Sequence, residues 1–313
     1  MNPCRIKVID KCKVLLENFS LPPLKQKEIL VKTLYSAISP GTEIARIKNI
    51  TNPLTKFPYF PGYSACCRVI DKGSNVETVE IGQIVVCQVP HASHWITDEG
   101  NCFLLPEEIS EVEASAVRLG TISLQGINKA GIQPGCNAVI FGLGPIGSIA
   151  NQLARHEGAE FIAGIDRNKW RCELAVKCGI DKAATSIEDA DLSKEVDIVI
   201  EATGNPDTIP GVLTLVKKMG KVILLGSHRG FTSQVDFYNN IHKKGLTVIG
   251  AHDSTRLNTL REDIETIFTL IIQKHINLKE LITDVIPYKE AEKVYEYLLN
   301  KNGERMITVF KWS

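Results

Sequence analysis

The spacing of apolar residues changes character once along the chain. Up to about residue 118 it alternates in short runs broken by Pro and Gly: 28–34 (EILVKTL), 66–71 (CCRVID) and 83–89 (QIVVCQV). A period of two predicts half-buried strands, and several short ones with turn residues between them predict an antiparallel, barrel-like β region. Beyond that point continuous apolar runs appear at 137–141 (NAVIF), 161–165 (FIAGI), 197–201 (DIVIE), 221–225 (KVILL) and 246–249 (LTVI). Helical periodicity fills 145–157 and 169–178 between them. Strands buried on both faces and separated by helices predict βαβ units and a parallel sheet, hence an α/β fold. A helix-rich tail follows, with an amphipathic stretch at 290–299 and a strand-like run at 305–310.

Composition narrows the classes that remain. The 313 residues, 44% of them apolar, suffice for two domains. Acids and bases balance at 36 each, so no global field favours nucleic acid or an anionic membrane. No run approaches the ~20 apolar residues of a membrane span. The first residues (MNPCRIKVIDKCK) lack the apolar core of a signal peptide. Nine scattered cysteines without a C-x-x-C pair predict free thiols in a reducing cytoplasm. Adjacent Cys66 and Cys67 point to opposite faces of a strand, and Cys87 and Cys102 are expected to stand isolated.

The strongest chemical signal is Gly142-Leu-Gly144-Pro145-Ile146-Gly147, after one strand and opening a helix. The first glycine permits a tight turn, the second lets backbone approach a pyrophosphate, and the third lets helix and strand pack closely. The helix N-terminus offers N–H groups and a positive dipole end to phosphate. The next strand ends at Asp166, nineteen residues past Gly147, where a carboxylate accepts ribose hydroxyls and repels a 2′-phosphate. NAD is thus the expected cofactor, and Arg167 beside it keeps NADP possible. Strand ends at Glu201-Ala-Thr203-Gly204 and Gly226-Ser-His228 should line the same ligand, although His228 equally suits a plain turn. The stretch 35–43 (YSAISPGTE) packs hydroxyls and a carboxylate around a Pro-Gly pair, a loop that could hold metal, hold substrate or only turn the chain.

A β-rich first part, a GLGPIG-bearing middle and the return segment LITDVIPYKEAEKVYEYLLNKNGERMITVF together resemble the medium-chain dehydrogenase/reductase superfamily, of zinc-type alcohol dehydrogenase-like build, over essentially the whole chain. That resemblance implies a GroES-like catalytic domain formed by 1–118 and 254–313, wrapped around a Rossmann doubly wound domain at 119–253. YSAISPGTE and FPGYS (60–64) are similar to zinc-free members such as bacteriochlorophyllide a dehydrogenase, and HASHWITDEGNCFLLPE (91–107) to bi-domain sugar oxidoreductases.

By the same resemblance, zinc-dependent relatives carry a cysteine at Ser39, a histidine at Tyr63 and a Cys or Glu at Arg118. A hydroxyl, a phenol and a guanidinium are not zinc ligands, and the four-cysteine structural lobe is missing, so no metal is expected. Arg118 becomes the electrostatic substitute, with Tyr63 and Ser39 on the reacting oxygen and the Tyr63 pKa lowered by the cation. Thr42 falls where relatives begin a proton relay, Glu43 at the acid that braces the site, and His91 is a candidate relay end. Each also has a structural alternative: Arg118 paired with Glu113, Tyr63 packed as an aromatic, Ser39 capping a turn, His91 or His94 hydrogen-bonded in a core.

The expected activity is zinc-independent, NAD(P)-dependent interconversion of a secondary alcohol and a ketone on a small molecule. Reduction of an activated C=C bond is the second enzymatic alternative, and a non-catalytic dinucleotide-binding protein the third. Homodimerisation is implied by the resemblance, with 243–250 (KKGLTVIG) as the edge strand.

Overall fold

The computed structural model describes every residue except Met1, Thr51, Asn52, Ser193, Lys194, His228, Ser233, Lys301, Asn302 and Ser313. The expectation for His228 therefore lies outside the described residues. In chain order the elements begin β1 (Cys4–Asp10), β2 (Lys13–Asn18), β3 (Glu28–Ala37), α1 (Pro40–Ile47), β4 (Ala65–Lys72), β5 (Ile84–Cys87), β6 (His94–Asp98), β7 (Cys102–Leu104), α2 (Glu111–Ala114) and α3 (Val117–Ala130). There follow β8 (Asn137–Phe141), α4 (Pro145–His156), β9 (Phe161–Ile165), α5 (Lys169–Lys177), β10 (Lys182–Ala184), β11 (Val196–Glu201), α6 (Ile209–Leu215), β12 (Val216–Leu224) and β13 (Thr247–Gly250). The chain ends with α7 (Leu260–Ile272), β14 (Ile282–Pro287), α8 (Ala291–Asn300) and β15 (Ile307–Lys311).

These elements form two compact units. One comprises 1–118, 264–272 and 278–313; the other comprises 119–263 and 273–277. The first boundary falls between Arg118 and Leu119. The return to the first unit comes at Ile264, against residue 254 expected from the sequence.

In the first unit a seven-stranded sheet runs β14-β15-β3-β4-β5-β7, with β6 also paired to β3, and β1 and β2 form a separate hairpin. All its pairings are antiparallel except β14 with β15. The alternation read from 28–34 is genuine: Ile29, Val31 and Thr33 are fully buried, with partly exposed residues between them. Ile29 and Val31 pack with Ala65, Val69 and Val85 in one core, while Ile6, Val8, Ile38, Tyr295 and Phe310 form another.

The second unit is a six-stranded sheet in the order β10-β9-β8-β11-β12-β13, parallel throughout. Counted within the unit this is 3-2-1-4-5-6, the doubly wound order that binds dinucleotides where the strand order reverses. β13 is an outer strand, as 243–250 suggested.

Three features differ from expectation. The stretch 35–43 is not a loop: Tyr35–Ala37 ends β3, and helix α1 begins at Pro40 with Ser39 as its N-cap and Glu43 in its first turn. Proline suits the first helical position because its missing N–H is not needed there. β12 starts at Val216, before the predicted 221, through the polar lead-in KKMGK, where Met219 takes a positive φ of 62°. Cys87 and Cys102 are not isolated; they face each other across β5 and β7 with sulfurs 3.3 Å apart, and all nine cysteines are free. Among the described residues no helix is long and apolar enough to cross a membrane.

Candidate active site

The glycine turn in the second unit has the tight, closely packed backbone its glycines suggested. Gly142 has φ of +95°, and a Cβ there would lie 2.7 Å from the Thr203 methyl. A Cβ on Gly147 would fall 1.9 Å from the Gly142 carbonyl oxygen, so helix and turn touch backbone to backbone. A Cβ on Gly144 would meet only an Arg171 nitrogen, at 3.8 Å. That open space above the middle glycine is what a pyrophosphate needs. Gly144 is also the N-cap of α4, with no side chain capping it and Pro145 leading the helix, followed by Ile146. The residues present therefore fit a dinucleotide.

The neighbouring strand ends close the cradle. Glu201 is fully buried and accepts from the backbone N–H of Thr203 (3.0 Å) and Gly204 (3.2 Å) and from the Thr208 hydroxyl (3.0 Å). Its own carbonyl accepts from Gly226 N–H at 2.7 Å. A Cβ on Gly226 would lie 2.3 Å from Gly204 N, so this pair is glycine for closeness.

Asp166 ends β9 and is 9% exposed. Its Oδ2 accepts from Leu143 N–H (2.8 Å) and its Oδ1 from Asn168 N–H (2.9 Å), tying the strand end to the glycine turn. Arg167 is exposed. Sequence reasoning missed Arg171, whose Nη1 stands 3.7 Å from Asp166 Oδ2. The signal was present, a cation in the first turn of the helix that follows the acid. Asp166→Asn keeps one acceptor and removes the charge that repels a 2′-phosphate. We expect it to raise NADPH affinity relative to NADH by about tenfold, roughly 1.4 kcal/mol, in fluorescence titrations.

The hydroxyl cluster belongs to the first unit. Ser39 (6% exposed) and Thr42 both hydrogen-bond the Tyr63 phenol, and the Arg118 charge acts on it. Arg118 is 5% exposed, and the segment before it is held by a 2.5 Å hydrogen bond from the Ser64 hydroxyl to Ser115 O. Glu113, the structural alternative for Arg118, instead accepts from the backbone N–H groups of Lys279 and Leu278. The four expected residues Ser39, Thr42, Tyr63 and Arg118 thus come together.

The direction of the Tyr63 shift is opposite to the one expected. Desolvation outweighs Ser39, Arg118 and Thr42, and the Glu43 charge adds to it, so the phenol is pushed up to about 12. Burial, which the sequence does not display, decides this contest. Tyr63 is a neutral donor at ordinary pH.

Behind it lies a sealed polar network. His91 is fully buried, with Nδ1 2.7 Å from the Ser36 hydroxyl and Nε2 3.2 Å from Glu43 Oε2. Ser36 Oγ already accepts from the Trp312 indole N–H at 2.8 Å. The Glu43 carboxylate can only accept, which assigns the proton of a neutral His91 to Nε2, donating to Glu43, and leaves Nδ1 to accept from the Ser36 hydroxyl. Glu43 Oε1 accepts from Ser39 N–H at 2.8 Å, and Tyr295 OH donates to Oε2. Expected as a relay end, His91 has both nitrogens occupied inside the core. Gly62 allows this approach: its φ is +94°, and a Cβ would lie 2.7 Å from the His91 ring. His94 sits apart, bonded to the Ser93 hydroxyl at 3.0 Å, its pKa lowered by burial. Ser36, Tyr295 and Trp312 were not legible as site residues.

The family model for zinc-binding dehydrogenases matches residues 145–271. D-xylulose reductase A of Aspergillus niger is 24% identical over 66% of this chain, which spans 59% of that relative's length. L-threonine 3-dehydrogenase of Bacillus licheniformis is 26% identical over 89% of this chain and 90% of its own. The crystal structure of galactitol-1-phosphate dehydrogenase from Escherichia coli superposes with a TM-score of 0.85 at 19% identity, covering 98% of this chain and 99% of that one. The fold is that of the GroES-like plus Rossmann dehydrogenases. By these likenesses the chain is similar to members of the medium-chain dehydrogenase/reductase superfamily.

Zinc, which the family description names, does not fit the residues present. It takes thiolate, imidazole or carboxylate ligands. The positions where the resemblance puts the ligands offer Ser39, Tyr63 and Arg118. Among the described residues no group of three or more His, Cys, Asp or Glu side chains is placed to hold a metal ion.

Proposed function

We propose that the chain is a zinc-independent, NAD(P)-dependent oxidoreductase that interconverts a secondary alcohol and a ketone on a small polar metabolite, as a cytoplasmic homodimer paired through β13. The observation that carries this reading is the Ser39–Thr42–Tyr63 hydroxyl cluster under the Arg118 charge, where the resemblance puts a ligand set. The nicotinamide, when bound, supplies or takes the hydride. The chain's own groups must then hold the substrate oxygen and its proton. In ketone reduction the neutral Tyr63 phenol donates to the oxygen as negative charge grows on it. Ser39 and Thr42 hydroxyls donate in turn to the phenol oxygen, and the fixed Arg118 charge favours the developing anion. Relatives named for D-xylulose and L-threonine support a small polar substrate.

The test is a panel of polar ketones and of activated enones, each with NADH and NADPH. Turnover of ketones supports the proposal; turnover of enones alone supports C=C reduction instead, and cofactor binding without any turnover supports a binding protein.

The pKa shift adds a pH prediction. A phenol pushed up to about 12 stays protonated throughout the neutral range. The kcat of ketone reduction should therefore be flat between about pH 6 and 9, with no loss from this donor until pH approaches its raised value. For stability the sign is definite. The unfolded phenol ionises near 10 and the folded one later, so this group takes stability away only as pH rises from about 10 to 12. Alkaline melts of wild type and Tyr63→Phe, compared across that window, measure it.

A further inference from the structure

The Tyr295 hydroxyl is not explained by packing. Tyr295 lies on the buried stripe of α8 with Ala291 and Val294, is fully buried, and sits against Phe310 with ring centroids 6.0 Å apart. A phenylalanine would fill that place equally. Among the described residues the hydroxyl adds a single hydrogen bond, to Glu43 Oε2, across 252 residues of chain.

That contact matters because of what Glu43 holds. The carboxylate is 2% exposed, and a buried anion must be met by donors on each oxygen. Oε2 has Tyr295 and the longer 3.2 Å contact with His91; Oε1 has the Ser39 backbone N–H at 2.8 Å. Ser39 in turn hydrogen-bonds Tyr63. Without the tyrosine hydroxyl, Oε2 keeps only the weaker partner, and the carboxylate is free to turn and release Ser39.

We infer that Tyr295 is a positioning residue: by donating to Glu43 it fixes the carboxylate that holds the Ser39 backbone, and so places the Ser39–Tyr63 hydroxyl pair for the reaction. The return segment thereby contributes to the chemistry without touching substrate. This rests on the hydroxyl cluster serving the activity proposed above.

The experiment compares Tyr295→Phe with Val294→Ala, its neighbour on the same buried stripe, which has no polar partner to lose. In Tyr295→Phe we expect kcat for the ketone found by the panel to fall about tenfold with KM within about twofold, as for losing one hydrogen bond to a charged group. Amide exchange at Ser39 should accelerate about tenfold relative to Val8 and Val31 in the same unit. Val294→Ala should lower the melting temperature at least as much, yet leave kcat and Ser39 exchange close to wild type. If Tyr295→Phe keeps Ser39 as protected as wild type, or if both variants lower kcat in proportion to their melting temperatures, Tyr295 is only packing and the inference is overturned. A wild-type chain that turns over nothing in the panel would end the functional reading alone. Ser39 exchange would still decide whether Tyr295 acts through Glu43.

Discussion

Tyr63→Phe should lower kcat for ketone reduction by about 100- to 1,000-fold while leaving NADH affinity within about twofold, the usual cost of removing one donor from a developing oxyanion. The substitution removes one oxygen and keeps the ring, so the effect should not come from folding. Desolvation holds the phenol protonated, which makes it a donor with its proton in place at every working pH. Ser39 and Thr42 can both donate hydrogen bonds to its oxygen, so the phenolate left when the proton is given away is stabilised until solvent returns a proton. Ser39→Ala should cost less, about tenfold, because it acts on the donor and not on the substrate. Steady-state kinetics together with fluorescence titration of NADH separate the two quantities. Equal kcat in wild type and Tyr63→Phe would remove Tyr63 from the chemistry.

The second large effect lies in the glycine turn, where two alanine substitutions should behave differently. Gly144→Ala adds a methyl group that meets only Arg171 Nη1 at 3.8 Å, so the folded chain has room for it. A pyrophosphate does not, because the same space is where it must approach the backbone. We expect Gly144→Ala to melt within a degree or two of wild type and to lose NADH affinity on the order of 100-fold. Gly147→Ala places a Cβ 1.9 Å from a backbone oxygen, which no side-chain movement relieves. It should lose cofactor affinity and stability together, by about 1–3 kcal/mol for overpacking. Calorimetric melts beside cofactor titrations check both. A Gly144→Ala variant that binds NADH normally would show that the dinucleotide does not lie over this turn.

What could be read from the chain divides along local and non-local lines. β8 and β9 were legible to the residue because each is a run buried on both faces, such as NAVIF, ended by turn chemistry. The glycine turn was legible because its function is a backbone property of consecutive residues. Helix α1 was hidden because its first turn, Pro40 to Glu43, is polar and looks like a loop. The early part of β12 was hidden by lysines and a left-handed Met219. At the site, Ser39, Thr42, Tyr63 and Arg118 could be grouped by resemblance. Glu43 and His91 could be placed near it the same way, but their partners Ser36, Tyr295 and Trp312 could not, because nothing near any of them in sequence signals the meeting. The sign of the Tyr63 shift was missed for a related reason. Charge is visible in a sequence, whereas the desolvation that outweighs it is a sum over everything packed around the phenol.

The claim that hydroxyls and a fixed guanidinium stand in for a metal is tested most directly by measuring the zinc content of the purified chain alongside its ketone-reducing rate before and after exhaustive chelation. The account predicts far less than one zinc per chain and an unchanged rate. One tightly held zinc per chain, with activity lost on its removal and restored on its return, would contradict it.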